Sequence, residues 1–398
     1  MLKKLLSFIL VVAMVLSFTA CGTKDEKSTT DKTDTTTTAP TATPADTEDA
    51  ATDEATTGIA KEDLKVGVIH IGDPADGAGY TFAHDQGIVA MQANLGLTDA
   101  QIIRKNNVND ADAVAIRTAI EECIEEGCNI IFGTSWGYMD TMEQLATEYP
   151  DVIFSHGSGY KNNGTNMNNY FGRIYQARYL AGIAAGMKTQ SDKIGFVAAM
   201  GIDNSEVTGG INAFAMGVES VNPDAKVYVK VTNSWFDPTL EGQAAEALLD
   251  MGCDVIAQHA DTTAPQMAAQ ARGVWGCGYN SDMTKDAPQG HLTAPIWNWG
   301  VYYTKAAQAV IDGTWTNENY YGGMDDGLVD ISPLSANCAE GTQEAVDAAR
   351  KQILDGFKIF EGDLFDNQGN QVCKEGEFIS DADITGAMNW YYKTVEVK

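Results

Sequence analysis

Positive charge is scarce in this chain of 398 residues: 26 lysines and arginines face 55 aspartates and glutamates, a formal net charge of −29. So acidic a surface repels phosphate backbones, which excludes a nucleic-acid polymer as partner. The acids suit solubility and do not by themselves define a cationic ligand. Histidine is also rare, at 5 residues, and the histidines do not cluster among the 7 cysteines. No cysteine pair has zinc-ribbon spacing, so no metal site is expected. Cys123, Cys128, Cys253, Cys277, Cys338 and Cys373 are expected to be mostly buried free thiols, with Cys123 and Cys128 at an awkward offset for facing each other. HRD and HExxH patterns are absent, and no activated nucleophile stands out beside a base and its orienter. The glycines of HIGDPADGAGYTFAHDQG form neither a dinucleotide fingerprint nor a phosphate loop, so no cofactor is expected. Binding without chemistry is favoured, and the chain is not expected to be an enzyme.

Long apolar runs are lacking as well, apart from one at the start. Lys3 and Lys4 precede Leu5 to Phe18, and small residues precede Cys21. That run is short for a spanning helix and reads as a secretory signal peptide over residues 1–20. It resembles a bacterial lipoprotein signal, cleaved before Cys21, whose thiol then carries diacylglycerol. Residues 21–60 are rich in threonine and acids and almost free of large apolar side chains. Such a stretch cannot repay the entropy of ordering and is expected to be a disordered tether. A lipid on that tether would hold the rest of the chain, extracytoplasmic, at the cell membrane.

What remains alternates apolar strands with amphipathic helices. KVGVIHI, the run from Ile102, NIIFGTS and DVIFSH are predicted strands, with helices around Phe82 to Leu95 and Asp112 to Glu126 between them. The pattern restarts at KIGFVAAM and continues through KVYVKVTNSW, Asp254 to Gln258 and GVWGCGYN. Uniformly apolar strands separated by helices predict an α/β fold with parallel sheets covered on both faces. We expect two Rossmann-like lobes: residues 61–190 completed by part of 291–330, and residues 191–290 completed by part of 331–398. A ligand cleft is then expected at the C-terminal edges of both sheets.

Large rings recur at those predicted edges, beside Asp and Asn. Tyr80 and Phe82 follow the first strand, Trp136 and Asp140 the third, and His156 the fourth. In the second half Trp235 ends one strand in NSWFDP, Asp261 follows the next, and Asn280 and Trp297 follow the last. Rings offer stacking area, while carboxylates and amides read a polar edge, which fits a flat heteroaromatic ligand. A pterin or an aromatic amino acid would satisfy much the same reasoning. His84 and Asp85 read as structural.

GYTFAHDQG, TSWGYMD, YFGRIYQARYLAGIAAG, NSWFDP, GYNSDM, HLTAPIWNWG and MNWYY occur in that order. Together they resemble the basic membrane protein family of lipoproteins, substrate-binding components of ABC transporters related to purine nucleoside receptors. The resemblance covers roughly residues 64 to 395. It implies a type I periplasmic-binding-protein fold, whose hinge carries several chain crossovers, with a purine held between two rings and an ABC permease as partner. By motif position the rings correspond to Tyr80, followed by Thr81, and to Trp235, and a base-reading aspartate to Asp140. An aspartate and a lysine that hold ribose in the receptors correspond to Asn280 and Trp297. Losing the lysine removes a point-charge donor and adds bulk. The resemblance therefore implies a free nucleobase such as adenine rather than a nucleoside. A nucleoside receptor, a sensory binding protein and, further off, a nucleosidase remain alternatives. Arg173 and Arg178 are expected to be structural and outside the pocket.

Overall fold

The structure is a computed structural model and describes residues 58–398. The expected signal peptide, Cys21 and nearly all of the expected tether lie outside the described residues.

Short strands, buried on both faces except at the edge strand β2, build the first sheet: β1 (Val66–Ile69), β2 (Ile102–Lys105), β3 (Ile130–Gly133), β4 (Ile153–Gly157) and β5 (Met167–Gly172). The second sheet follows with β6 (Lys193–Ala198), β7 (Lys226–Val231), β8 (Val255–His259), β9 (Trp275–Cys277) and β10 (His291–Thr293). The chain then adds β11 (Pro295–Trp297), β12 (Tyr320–Gly322), β13 (Val329–Ile331), β14 (Leu364–Phe365), β15 (Gln371–Cys373) and β16 (Val395–Val397). β12 returns to pair with β5, giving the order β12-β5-β4-β3-β1-β2. β16 returns to pair with β7, giving β10-β9-β8-β6-β7-β16. Every pairing within these two sheets is parallel. The long return connections make each sheet depend on residues far along the chain.

The crossover helices are α1 (Gly79–Leu95), α2 (Ala113–Glu125), α3 (Met139–Glu148), α4 (Ile174–Lys188), α5 (Ser205–Val221), α6 (Pro238–Asp250), α7 (Ala264–Ala271), α8 (Gly300–Asp312), α9 (Thr342–Leu354) and α10 (Asp381–Gly386). Side-chain caps fix several starts. Asp112, Asn204 and Asp237 each accept first-turn amides of α2, α5 and α6. α4 and α5 pack backbone to backbone: a Cβ on Gly182 would lie 2.1 Å from the Phe214 carbonyl, and one on Gly217 2.0 Å from that of Tyr179. Only glycine allows that approach, which explains the small residues of α4.

Five of the six cysteines are buried, Cys338 is partly so, and all are unbridged. Cys123 and Cys128 do face each other, against expectation. The left-handed turn at Gly127 (φ 84°) folds the chain back so that the Cys128 amide bonds the Cys123 carbonyl at 3.0 Å. The neighbouring Cys123 thiol, together with burial, pushes the Cys128 thiol up. No helix among the described residues is long and apolar enough to cross a membrane.

Candidate functional site

α1 begins at Ala78 without a side-chain cap, so no capping side chain satisfies its first-turn amides. Gly79 has φ 82°, and a Cβ there would come within 2.5 Å of the Asp261 carbonyl, just beyond β8. The N-terminus of α1 therefore abuts the loops of the second sheet. Lys285, in the loop before β10, crosses the same junction. Its Nζ donates to the Gly77 carbonyl at 2.8 Å and stands 5.4 Å from the centre of the Phe82 ring.

Rings pave this junction. Tyr80 meets His84 edge-on at 4.3 Å, and His84 stacks on Trp299 at 4.4 Å. Trp299 stacks on Trp297 at 4.4 Å and 12°. Trp297 Nε1 donates to the Tyr279 hydroxyl at 3.4 Å. Tyr279 packs against His259 at 4.6 Å, and His259 against Trp235 at 5.9 Å. The ladder thus starts at Tyr80, from the first half, and ends at Trp235, from the second. Its middle rungs are buried, but Trp235 remains 36% exposed.

Polar groups beside the ladder lack partners. Arg178 reaches from α4 to lay its guanidinium 3.8 Å over the Tyr279 ring, and one Nη donates to the Gln258 carbonyl. Its Nε and Nη2, both ring nitrogens of His259, Asn280 Oδ1, Trp299 Nε1 and His84 Nε2 are buried without a hydrogen bond. His259 Nε2 is 3.4 Å from a Glu206 oxygen, yet not aligned to bond it. Unsatisfied buried polar atoms cost about 1–3 kcal/mol each, so a cluster of them marks where water or ligand completes the structure. Burial and the neighbouring Arg178 push the His259 imidazole down to about 4, so it is neutral at pH 7. Burial likewise holds the Tyr80 phenol well above its ordinary range.

Asp261 hangs on this framework. Its amide donates to the Trp235 carbonyl at 2.9 Å, and its Oδ1 accepts from Asn280 at 2.7 Å. Asn280 holds a left-handed backbone (φ 66°), tolerable for asparagine, which turns its amide toward Asp261. Buried Glu241 braces both loops: it accepts from the Asp237 amide (3.1 Å), the Thr262 amide (3.0 Å) and the Thr262 hydroxyl (2.7 Å).

The residues singled out in the sequence divide into groups. Tyr80, Trp235, Asp261, Asn280 and Trp297 come together along the ladder. The Thr81 hydroxyl oxygen accepts from the Gly72 amide at 3.2 Å, and Phe82 lies under Lys285. Trp136, Asp140 and His156 gather at the ends of β3 and β4. There Trp136 is 56% exposed against Tyr160, and Asp140 pairs with Lys161 at 2.9 Å. His156 Nε2 bonds the Ser135 carbonyl at 2.8 Å, and burial lowers its imidazole to about 4. Gly133 to Gly137, GTSWG, carries a GxSxG spacing that sequence reading passed over. Its serine is not activated: Oγ donates to Asp110 at 2.7 Å, and the nearby histidine takes the carbonyl instead.

Sequence reasoning missed His259, Tyr279 and Glu206, and it expected Arg178 to be structural and outside the pocket, whereas the fold lays its guanidinium over the Tyr279 ring of the ladder. Arg173 stays away from the ladder, paired with Asp381 and the Tyr321 carbonyl. The signal for Arg178 was a lone charge inside a helix of small apolar residues, a position that demands a buried partner. A separate cavity of about 490 Å³ opens between the end of α9 and α10, lined by Arg173, Phe357, Phe360, Phe378 and Asp381 among others. Its guanidinium and carboxylate satisfy each other, unlike the groups beside the ladder.

The sequence profile of the family Bmp, described as ABC transporter substrate-binding protein PnrA-like, matches residues 64–362. A "Purine-binding protein BAB2_0673" of Brucella abortus is 39% identical over 85% of this chain and 95% of that protein. A "Putative ABC transporter glucose-binding protein TsgA13" of Haloferax volcanii is 36% identical over 78% of this chain and 77% of its own length. Among solved structures, an ABC transporter solute-binding protein from Conexibacter woesei superposes with a TM-score of 0.61 at 20% identity, covering 74% of this chain and 97% of its own. The fold is the type I periplasmic-binding-protein fold expected from the motifs. The chain belongs to the Bmp family of PnrA-like ABC transporter substrate-binding proteins.

Proposed function

We propose that this chain captures a purine, most specifically a free nucleobase such as adenine, between its two lobes and delivers it unchanged to an ABC permease. The proposal includes an extracytoplasmic location and a lipid anchor at Cys21. The observation that carries it is the ring ladder with unpartnered polar atoms at its side. Tyr80 and Trp235, at opposite ends and from opposite lobes, supply faces for a planar ring. Trp297 argues for a base over a nucleoside. It is 5% exposed and fixed between Trp299 and Phe171, so the corner where a ribose would need room and a cation holds a rigid indole. The Brucella relative's name supports a purine, and the Haloferax relative's name makes glucose the natural counter-ligand. Among the described residues, no serine or cysteine beside the ladder is hydrogen-bonded to a histidine or carboxylate, which supports binding without conversion.

Calorimetric titration of the purified chain with adenine, adenosine and glucose tests this reading. Adenine is expected to bind at least tenfold more tightly than the other two, and to be recovered intact after long incubation. Tighter adenosine binding would overturn the nucleobase assignment, and glucose as the sole ligand would overturn the purine.

A further inference from the structure

His259 stands between two groups that dictate opposite roles to its two ring nitrogens. The residue ends β8 and is fully buried. Its ring packs edge-on against Tyr279 at 4.6 Å and Trp235 at 5.9 Å, so it supports the exposed end of the ladder. On one side, Nε2 lies 3.4 Å from Oε1 of Glu206, in the first turn of α5. On the other, Nδ1 looks past Gly210 of α5 toward Arg178 of α4: a Cβ on Gly210 would stand 3.0 Å from His259 Nδ1 and 3.4 Å from Arg178 Nε. Arg178 is 1% exposed, and its Nε has no hydrogen-bond partner. One Nη donates to the Gln258 carbonyl and the guanidinium lies over the Tyr279 ring, which fixes where Nε points. A guanidinium only donates and keeps its charge, whereas an ionised carboxylate only accepts. A neutral imidazole has one N–H to give. The nitrogen facing the cation must then present its lone pair, and the nitrogen facing the carboxylate must carry the proton. A second proton, at Nδ1, would set an N–H against a buried cation.

We propose that Arg178 is a positioning residue of the binding site: it holds His259 in the tautomer protonated at Nε2, which aims this N–H at Glu206 and locks the imidazole in one orientation against Trp235. The buried charge of Arg178 is then answered by Glu206 through the imidazole between them. The 3.4 Å approach of Nε2 to Glu206 needs only a small turn of the ring to become a hydrogen bond when a ligand settles on Trp235. The other tautomer would oppose a lone pair to the carboxylate and an N–H to the guanidinium at once. The ring would relieve both only by turning, and its edge on Trp235 would turn with it. The tautomer stands on this geometry alone. Its effect on affinity rests on the purine reading above.

The test is NMR of protein carrying nitrogen-labelled histidine, in which long-range proton correlations tell a pyridine-like ring nitrogen from a pyrrole-like one. The His259 signals are those lost in H259Q. The wild type, without ligand and at neutral pH, should show a pyridine-like Nδ1 and a pyrrole-like Nε2. R178M removes the cation and keeps an apolar stem in its place. G210A keeps the cation but sets a methyl between the two nitrogens, at a helical position where alanine is favoured. Both should let the second tautomer appear and weaken adenine binding in calorimetry by about fivefold or more, with thermal melts verifying the fold. A pyrrole-like Nδ1 in the wild type would overturn the assignment, and this holds even where R178M fails to fold. Wild-type signals in folded R178M or G210A would overturn the control by Arg178. A changed tautomer with unchanged affinity would overturn the positioning role. Absence of adenine binding by the wild type, with the expected tautomer present, would overturn the purine reading and leave the tautomer supported.

Discussion

Trp235→Ala isolates the outer wall of the proposed site with little disturbance elsewhere. The side chain is 36% exposed and touches the ladder only edge-on, 5.9 Å from His259. A tryptophan side chain offers about 250 Å² at most, so roughly 90 Å² of indole is left for a ligand to cover. At about 25 cal/mol per Å², covering it contributes about 2 kcal/mol, or about 30-fold in Kd. The loop should survive, because it is held by backbone and carboxylate contacts that do not involve the indole: the Asp261 amide on the Trp235 carbonyl, and Glu241 on the Asp237 amide. Titration with adenine should therefore show about a 30-fold weaker Kd, while the melting temperature falls by only a few degrees. A Kd within about threefold of wild type would refute the reasoning, because the exposed indole face would then not be the surface that the ligand covers.

Gly79→Ala should abolish tight binding without unfolding the chain, since its methyl would meet the Asp261 carbonyl at 2.5 Å; small-angle scattering with adenine should show failure to compact. Lys285→Ala removes a solvent-exposed link between the halves worth about 0.5–1 kcal/mol, so every ligand should weaken alike by about two- to fivefold, with unchanged preference among ligands in parallel titrations. Stability should fall on acidification from about pH 6.5 toward about pH 4, measured by melts across that range. His156, His259 and His291 are held near 4 in the fold against an ordinary 6.5, so the unfolded chain binds more protons there. Asp261 and Glu241, both raised, work in the opposite sense and blunt the slope without reversing it.

The α/β alternation was legible because parallel strands are buried on both faces and read as apolar runs. α2, expected from Asp112 to Glu126, runs from Ala113 to Glu125 with Asp112 as its cap. Local ambiguity cost accuracy at α1. Gly79 looks like loop, and its left-handed backbone does start with a turn's geometry, yet the helix begins there and carries Tyr80 in its first turn. In YFGRIYQARYLAGIAAG no local signal separates the start from the helix α4 that follows. The motif's first residues belong to β5, because they pair with β4 and with β12, and β12 lies far along the chain. The site was legible as a habit of rings at strand ends, but not as a ladder, since contact between Trp297 and Tyr279 or His259 and Trp235 depends on tertiary packing. The same limit hid Arg178, whose target ring at Tyr279 is brought to it by the second sheet. It also hid the partner of Asp140, which an isolated sequence presents as a free carboxylate and the fold pairs with Lys161.

The central claim is that a flat base lies between the two ends of the ring ladder. A crystal structure of the chain with adenine tests it most directly. The account predicts the purine in face contact with both Tyr80 and Trp235. Adenine bound away from those two rings, or touching only one of them, would contradict it.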